Sequence, residues 1–285
     1  MFSRVVSRPR WAIAALSTVA LAVSGLPAVA GVAKLPAKVS AVYAISFNGF
    51  DIGSFRFESE VRGNTYILNG DAELSALLGA IKWRGISRSS GTLGKNGPKP
   101  SGYMLSFNGS AQSGSVKVGF GRGQVTSASV VPPFGMAHDE VPLTRQHLKN
   151  AIDPLSAVMA LSFGTAKNPC NRKLAVFDGK QRFDLKLGYK GKRAAHGFAG
   201  QGGRAPAAVV CGVRYNPLGG FRPTGETMHL AKSDGIEIAM LPVPRSNIAV
   251  PHEITIPTSY GHVVVTAQKI SLENDRRRKV ALLSR

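Results

Sequence analysis

The chain has 285 residues, 44% of them hydrophobic, with 36 Lys and Arg against 16 Asp and Glu for a formal charge of +20. That apolar share is enough for a packed core in one β-rich domain or two small ones. No segment after residue 30 is apolar enough to span a bilayer as a helix, and no nucleic-acid-binding module is present, so the positive charge is not read as a nucleic-acid interface.

The first thirty residues read as an export signal. Arg4, Arg8 and Arg10 make a positive start, Trp11 to Leu26 is apolar, and Ala28-Val29-Ala30 supplies a small-x-small cleavage pattern before Gly31. Cleavage after Ala30 is expected to deliver the mature chain to the periplasm with thirty-three basic and sixteen acidic residues, a formal charge of +17. No Cys follows the apolar run, so no lipid anchor is expected. A field of this sign favours anionic partners, which in that compartment are phospholipid headgroups, lipopolysaccharide and other envelope polymers.

Strand signals then follow at regular spacing. SAVYAISF (40–47) leads to Asn48-Gly49, a dipeptide suited to a type I′ hairpin, and FDIGSFRFESEV resumes with Phe55 and Phe57 on one face. RGNTYILNGDAELSA, IKWRGISRSSGTL, YMLSFNGS, GSVKVGF and QVTSASVV continue an antiparallel meander. Ser46-Phe47-Asn48-Gly49 recurs as Ser106-Phe107-Asn108-Gly109, which four residues mark as shared strand-end chemistry rather than a duplication.

The middle of the chain changes character. VVPPFGMAHDEVPLT is a Pro-rich connection, and residues 143–150 have room for a helical turn or two. Asp153 suits an N-cap, Pro154 the first helical position, and Leu155, Val158 and Met159 fall on one helical face. After Cys170 strands return: a hairpin around Asp178-Gly179 sets Phe183, Leu185 and Leu187 against Arg182, Asp184 and Lys186. Residues 193–205 read as a loop, Cys211 lies in a strand, and ETMHLAK, IEIAMLPV, HEITIPTS and HVVVTAQKISL complete the sheet. Residues 273–285 read as a basic tail.

These signals predict a mainly β protein: a strongly curved antiparallel sheet, an incomplete barrel, with one or two short helices in its concavity, over residues 31–272. Cys170 and Cys211 are the sole cysteines and are expected to pair in an oxidising compartment. Closing a loop of about forty residues contributes about 4 kcal/mol in the chain-entropy model. The bridge would hold the helix over the sheet, either as part of the core or as a lid on an apolar cavity.

Four stretches in this order, YAISFNGFDIGSF, IDPLSAVMAL, VFDGKQRFDLKL and VPHEITIPTSYGHVVVTA, resemble an exported bacterial family, the domain of unknown function numbered 3108. That family carries no catalytic residues to transfer. More remotely the chain resembles the curled-sheet periplasmic lipoprotein carriers, and that likeness implies an incomplete barrel accommodating acyl chains.

Motifs for catalysis are missing: no H-E-x-x-H, G-x-S-x-G, P-loop or G-x-G-x-x-G is present. His138, Asp139, Glu140 and His147 have ligand chemistry but read better as a solvated polar loop. His252-Glu253 reads as a strand-edge pair and Asp178 as a turn residue. No metal or cofactor is expected. The ligand-binding candidates are apolar: Leu155, Val158, Met159 and Phe163, facing Phe55, Phe57 and Trp83. The expected function is a non-enzymatic envelope protein binding a lipid or lipoprotein acyl chain. The alternatives are a structural protein docking on anionic polymer or a partner, and a secreted hydrolase.

Overall fold

The computed structural model describes residues 35–133, 138–163, 168–195, 198, 205–223, 225–243, 248–274 and 279–283. The expected export signal and the run Arg276 to Arg278 lie outside them.

The first seven strands are the predicted meander: β1 (Lys38–Phe47), β2 (Phe50–Arg62), β3 (Thr65–Ala76), β4 (Ile81–Gly94), β5 (Gly97–Gly109), β6 (Gly114–Gly121) and β7 (Gln124–Val131), each antiparallel to the next. Asn48 (φ 50°) and Gly49 (φ 86°) make the β1–β2 turn, both at the positive φ that a type I′ turn requires. After helix α1 (Pro154–Ser162) come β8 (Arg172–Phe177), β9 (Arg182–Ala194), β10 (Ala207–Gly219), helix α2 (Gly225–Lys232), β11 (Glu237–Pro242), β12 (Ala249–Thr258), β13 (Gly261–Glu273) and β14 (Lys279–Leu283).

All the strands form one sheet in the order β7-β6-β5-β4-β3-β2-β1-β13-β12-β11-β10-β9-β8, with β14 added to β13. It is mainly β, antiparallel and not closed into a barrel, as expected. Two departures have physical causes. ETMHLAK, expected as a strand, is helix α2: Met228 and Leu230 alternate around His229, but Glu226 in the first turn and Lys232 in the last suit the helix dipole. Part of the expected basic tail, residues 279–283, pairs with β13 as β14.

The sheet forks. β12 pairs with β13 only from Glu253 to Thr258, while its first residues stay with β11. β14 takes the edge of β13 that β12 leaves free, at Lys269 to Glu273. The far edges β7 and β8 do not pair with each other; a strap joins them. Val125 N–H donates to Leu148 O (3.0 Å), Asn150 N–H to Gly123 O (2.7 Å), Ile152 N–H to Ala175 O (2.8 Å) and Phe177 N–H to Ile152 O (2.9 Å). The strap satisfies backbone groups that two open edges would leave exposed. Residues 143–150 make successive turns here, not a helix: His147, Leu148 and Lys149 N–H bond three residues back.

α1 touches β3, β4 and β5 on one limb and β8 and β12 on the other, so the sheet curves around it. Leu155 and Met159 join a core with Tyr43, Phe57, Tyr66 and Leu68. Ala157, Ala160 and Leu161 join a second core with Leu174, Leu187, Val213 and Ile238. The helix is therefore apolar nearly all round, as a rod between two cores must be. Cys170 and Cys211 lie in the second core, bonded at 2.03 Å with their Cα atoms 5.2 Å apart.

Candidate functional site

The first turn of α1 is fixed by a buried polar network. Asp153 is the N-cap and is fully buried. Its Oδ1 accepts the Ser156 N–H at 2.9 Å, and its Oδ2 accepts the hydroxyls of Ser156 at 2.6 Å and Ser89 at 2.8 Å. The Tyr66 and Ser156 hydroxyls share a further bond of 2.8 Å. Ser89 and Tyr66 belong to β4 and β3, so the cap also docks the helix on the sheet. Burial pushes the Asp153 carboxyl above the ordinary aspartate value, against the lowering pull of its hydrogen bonds. Burial likewise raises the phenols of Tyr43, Tyr66 and Tyr103.

Gly70 on β3 permits the close approach. A Cβ there would lie 3.0 Å from Leu155 Cδ2, 2.6 Å from Ser87 Oγ and 3.2 Å from the Phe55 ring. A side chain at Gly70 would force Ser87, Leu155 and Phe55 out of their packed positions.

The other end of α1 borders an apolar cavity of about 40 Å³ in the fork of the sheet. Val158, Met159 and Ser162 form the helix side; Phe57, Ala41 and Ile270 form the sheet floor. Val250 and Pro251 close it from β12 with Ile248 just before that strand, and Leu35 and Pro36 from the segment before β1. Tyr43 also lines it, its hydroxyl donating to Pro251 O at 3.1 Å.

The structure thus brings Val158, Met159 and Phe57 together on one cavity. Leu155 packs beside Phe55, whose ring stacks on Tyr43 at 6.2 Å, but neither Leu155 nor Phe55 lines the cavity. Phe163 is buried as the C-cap of α1 and also stands outside it. Trp83 is elsewhere, stacked on Phe107 at 6.4 Å with its indole folded over Gly85. Sequence reasoning did not single out the residues from β12 and β13; only the fork brings them to the helix.

The other candidate groups are dispersed. Asp139 is held in a two-pronged pair by Arg222 (2.9 and 3.2 Å), which lowers its carboxyl, and Glu140 pairs with Lys180 at 3.4 Å. His147 Nδ1 accepts the Thr144 N–H at 3.3 Å. His252 is buried edge-on to the Phe198 ring, while Glu253 pairs with Arg193 at 2.6 Å. Asp178 accepts the N–H groups of Lys180 and Gln181, as turn duty predicts. Arg182 and Asp184, which alternate with Phe183 and Leu185 along β9, are both buried as an ion pair of 2.8 Å that Lys173 extends. Among the described residues no group of three His, Cys, Asp or Glu could hold a metal, and no helix is long and apolar enough to cross a membrane.

Fold and cavity together define a curled, open antiparallel-sheet protein wrapped around a disulfide-flanked helix. The chain belongs to the family described as protein of unknown function (DUF3108), whose model matches residues 42–241. The match ends before β12, so the fourth of the resembling stretches lies beyond it. No curated protein matches the chain.

Proposed function

We propose that the protein is a non-enzymatic component of the cell envelope that holds one apolar chain, of a lipid or a lipoprotein, in the fork between α1 and β1, β12 and β13. The observation that carries this reading is the cavity lining: Val158, Met159, Phe57, Val250 and Ile270 are apolar and converge from four elements, α1, β2, β12 and β13. A methionine in such a wall adapts its shape to different chains.

The size of the cavity sets a condition. A volume of about 40 Å³ exceeds what one water needs but is far below the several hundred Å³ typical of ligand pockets. The chain enters only when part of the wall withdraws. Leu35 and Pro36 precede β1, next to the point where Val61 N–H holds Ala37 O at 2.8 Å. Their withdrawal lengthens the cavity along α1 without breaking a strand pair.

The test is organic extraction and mass spectrometry of protein purified from an exporting host, alongside a Val158→Trp variant. A co-purifying lipid that the variant loses supports the reading. A wild-type protein that is lipid-free and fails to bind a fluorescent fatty acid overturns it.

A further inference from the structure

At the end of the sheet that carries the β4–β5 and β6–β7 turns, the strap divides two adjoining concavities of about 760 and 330 Å³. They share Asn96, Gly97, Pro98, Asn150 and Ile152, so they form one groove that passes across the strap. Four cations line it: Lys99 and Arg122 on one side, Arg172 and Lys173 on the other. No Asp or Glu lines either part. Lys173 is engaged by Asp184 at 2.8 Å. Lys99, Arg122 and Arg172 have no carboxylate partner among the described residues.

In a chain this basic, exposed lysines without partners are unremarkable. Arg172 is different. It is partly buried, one Nη donates to the Ala160 carbonyl at 3.0 Å, and its Nε is buried without an acceptor. A guanidinium drawn out of water and met only by a neutral carbonyl is costly, and an anion in the groove would relieve that cost. Burial alone lowers its affinity for the proton, with no acid nearby to restore it. Arg122 gives a second, independent sign. It sits at φ 51° in the β6–β7 turn, a conformation that disfavours long side chains where Asn or Gly would serve. Asn150, on the strap and bonded to the next residue of that turn, Gly123, also holds a positive φ of 53°.

Between the cations lie neutral hydrogen-bonding side chains, Asn96, Gln124, Asn150 and Asn171, and the partly exposed apolar surfaces of Pro100 and Phe120. Cations alone would suit inorganic phosphate. Amides and flat apolar faces beside them suit the hydroxyls and ring faces of a sugar, and the groove is far larger than one phosphate. We infer that this groove binds an anionic oligosaccharide, one carrying phosphate, sulfate or carboxylate groups on its rings. The site is distinct from the fork cavity and does not rest on the apolar-chain reading.

The experiment is calorimetric titration of the exported, disulfide-intact protein with a heparin-derived oligosaccharide as probe. Parallel titrations use inorganic phosphate and vesicles of mixed phosphatidylglycerol and phosphatidylcholine. The variant is Lys99→Gln with Arg122→Asn; both side chains are exposed, and Asn suits the turn at residue 122. The control is Arg56→Gln with Arg88→Gln, which removes the same charge from exposed strand positions outside the groove. The saccharide is expected to bind, and the groove variant to weaken it at least about tenfold through lost charge-assisted hydrogen bonds, while the control weakens it less than about twofold. Equal losses in the two variants would show mere bulk charge and overturn the site. Groove-dependent binding of vesicles or free phosphate but not of the saccharide would overturn the ligand class, and no binding by the wild type would overturn both.

Discussion

The two ends of α1 are held by opposite kinds of force. At its first turn, Asp153, Ser156, Ser89 and Tyr66 form a closed set of hydrogen bonds that specifies one position and one orientation. Toward its last turn, Val158 and Met159 face an apolar hollow, and apart from the Arg172 bond to the Ala160 carbonyl, position is set by non-directional packing and by the return of the chain to Cys170. Directional bonds in a dry site tolerate almost no displacement. Apolar packing tolerates a partner of similar shape, including one that is not part of the chain. One end is therefore an anchor, and the other is suited to exchange its contacts for those of a ligand.

The largest effect is expected from the sulfur bridge. Replacing Cys170 and Cys211 with Ala opens a loop of 41 residues and should lower unfolding free energy by about 4 kcal/mol, read as a shift in the urea midpoint. If the loss is below about 1 kcal/mol, the return segment does not help to hold α1. Next comes the anchor. Asp153→Ala removes the cap and leaves the Ser89 and Ser156 hydroxyls short of an acceptor, which should cost about 3 kcal/mol in chemical denaturation. Val158→Ala, at the exchanging end, should cost under about 1.5 kcal/mol.

The anchor also carries a pH signature. Because burial raises the Asp153 carboxyl, its ionised form is the destabilised one. Stability is fully present below the ordinary value of 3.8 and is lost as pH rises through the folded-state value. Asp178 is raised for the same reason, whereas Asp184 and Asp139 are lowered and act in the opposite sense. Asp153→Asn isolates the one group, since the amide still accepts from Ser156 N–H. Between neutral pH and the ordinary aspartate value, wild type should gain stability relative to this variant as pH falls. A difference that stays flat with pH would show that Asp153 does not change charge differently on folding. The smallest effect is at the cavity itself: Ala41→Val should fill it, change stability by no more than about 1 kcal/mol, and reduce uptake of an apolar chain.

Local chemistry made much of the fold legible. Asn48-Gly49 and Asp178-Gly179 mark their hairpins because few other dipeptides accept the backbone angles a tight turn needs, and Asp153-Pro154 marks the start of α1 because cap and first position have separate residue preferences. ETMHLAK was misleading because seven residues cannot separate a period of two from one of 3.6 when three of them are apolar. The alternation of Arg182 and Asp184 with Phe183 and Leu185 was legible, but that the folded chain buries the two charges as a pair was not. The strap left almost no signal: residues 148–152 pair with strands distant in sequence, and only the positive φ of Asn150, invisible in composition, marks the bend.

Of the site, the helix face was readable and the facing wall was not. Leu155, Val158 and Met159 share a face because helical geometry repeats every 3.6 residues, whatever surrounds the helix. The mainly β class, the one central helix and the cysteine pair follow from such short-range rules and from having only two sulfurs to join. Which strands meet that helix, where the sheet forks, and which cations gather around the strap depend on pairings beyond the reach of local rules, from Gln124 with Lys149 and Ile152 with Val176 at the strap to β1 with β13 across most of the chain. Those pairings are chosen by the collective burial of both cores, a sum over the whole chain that no local stretch contains.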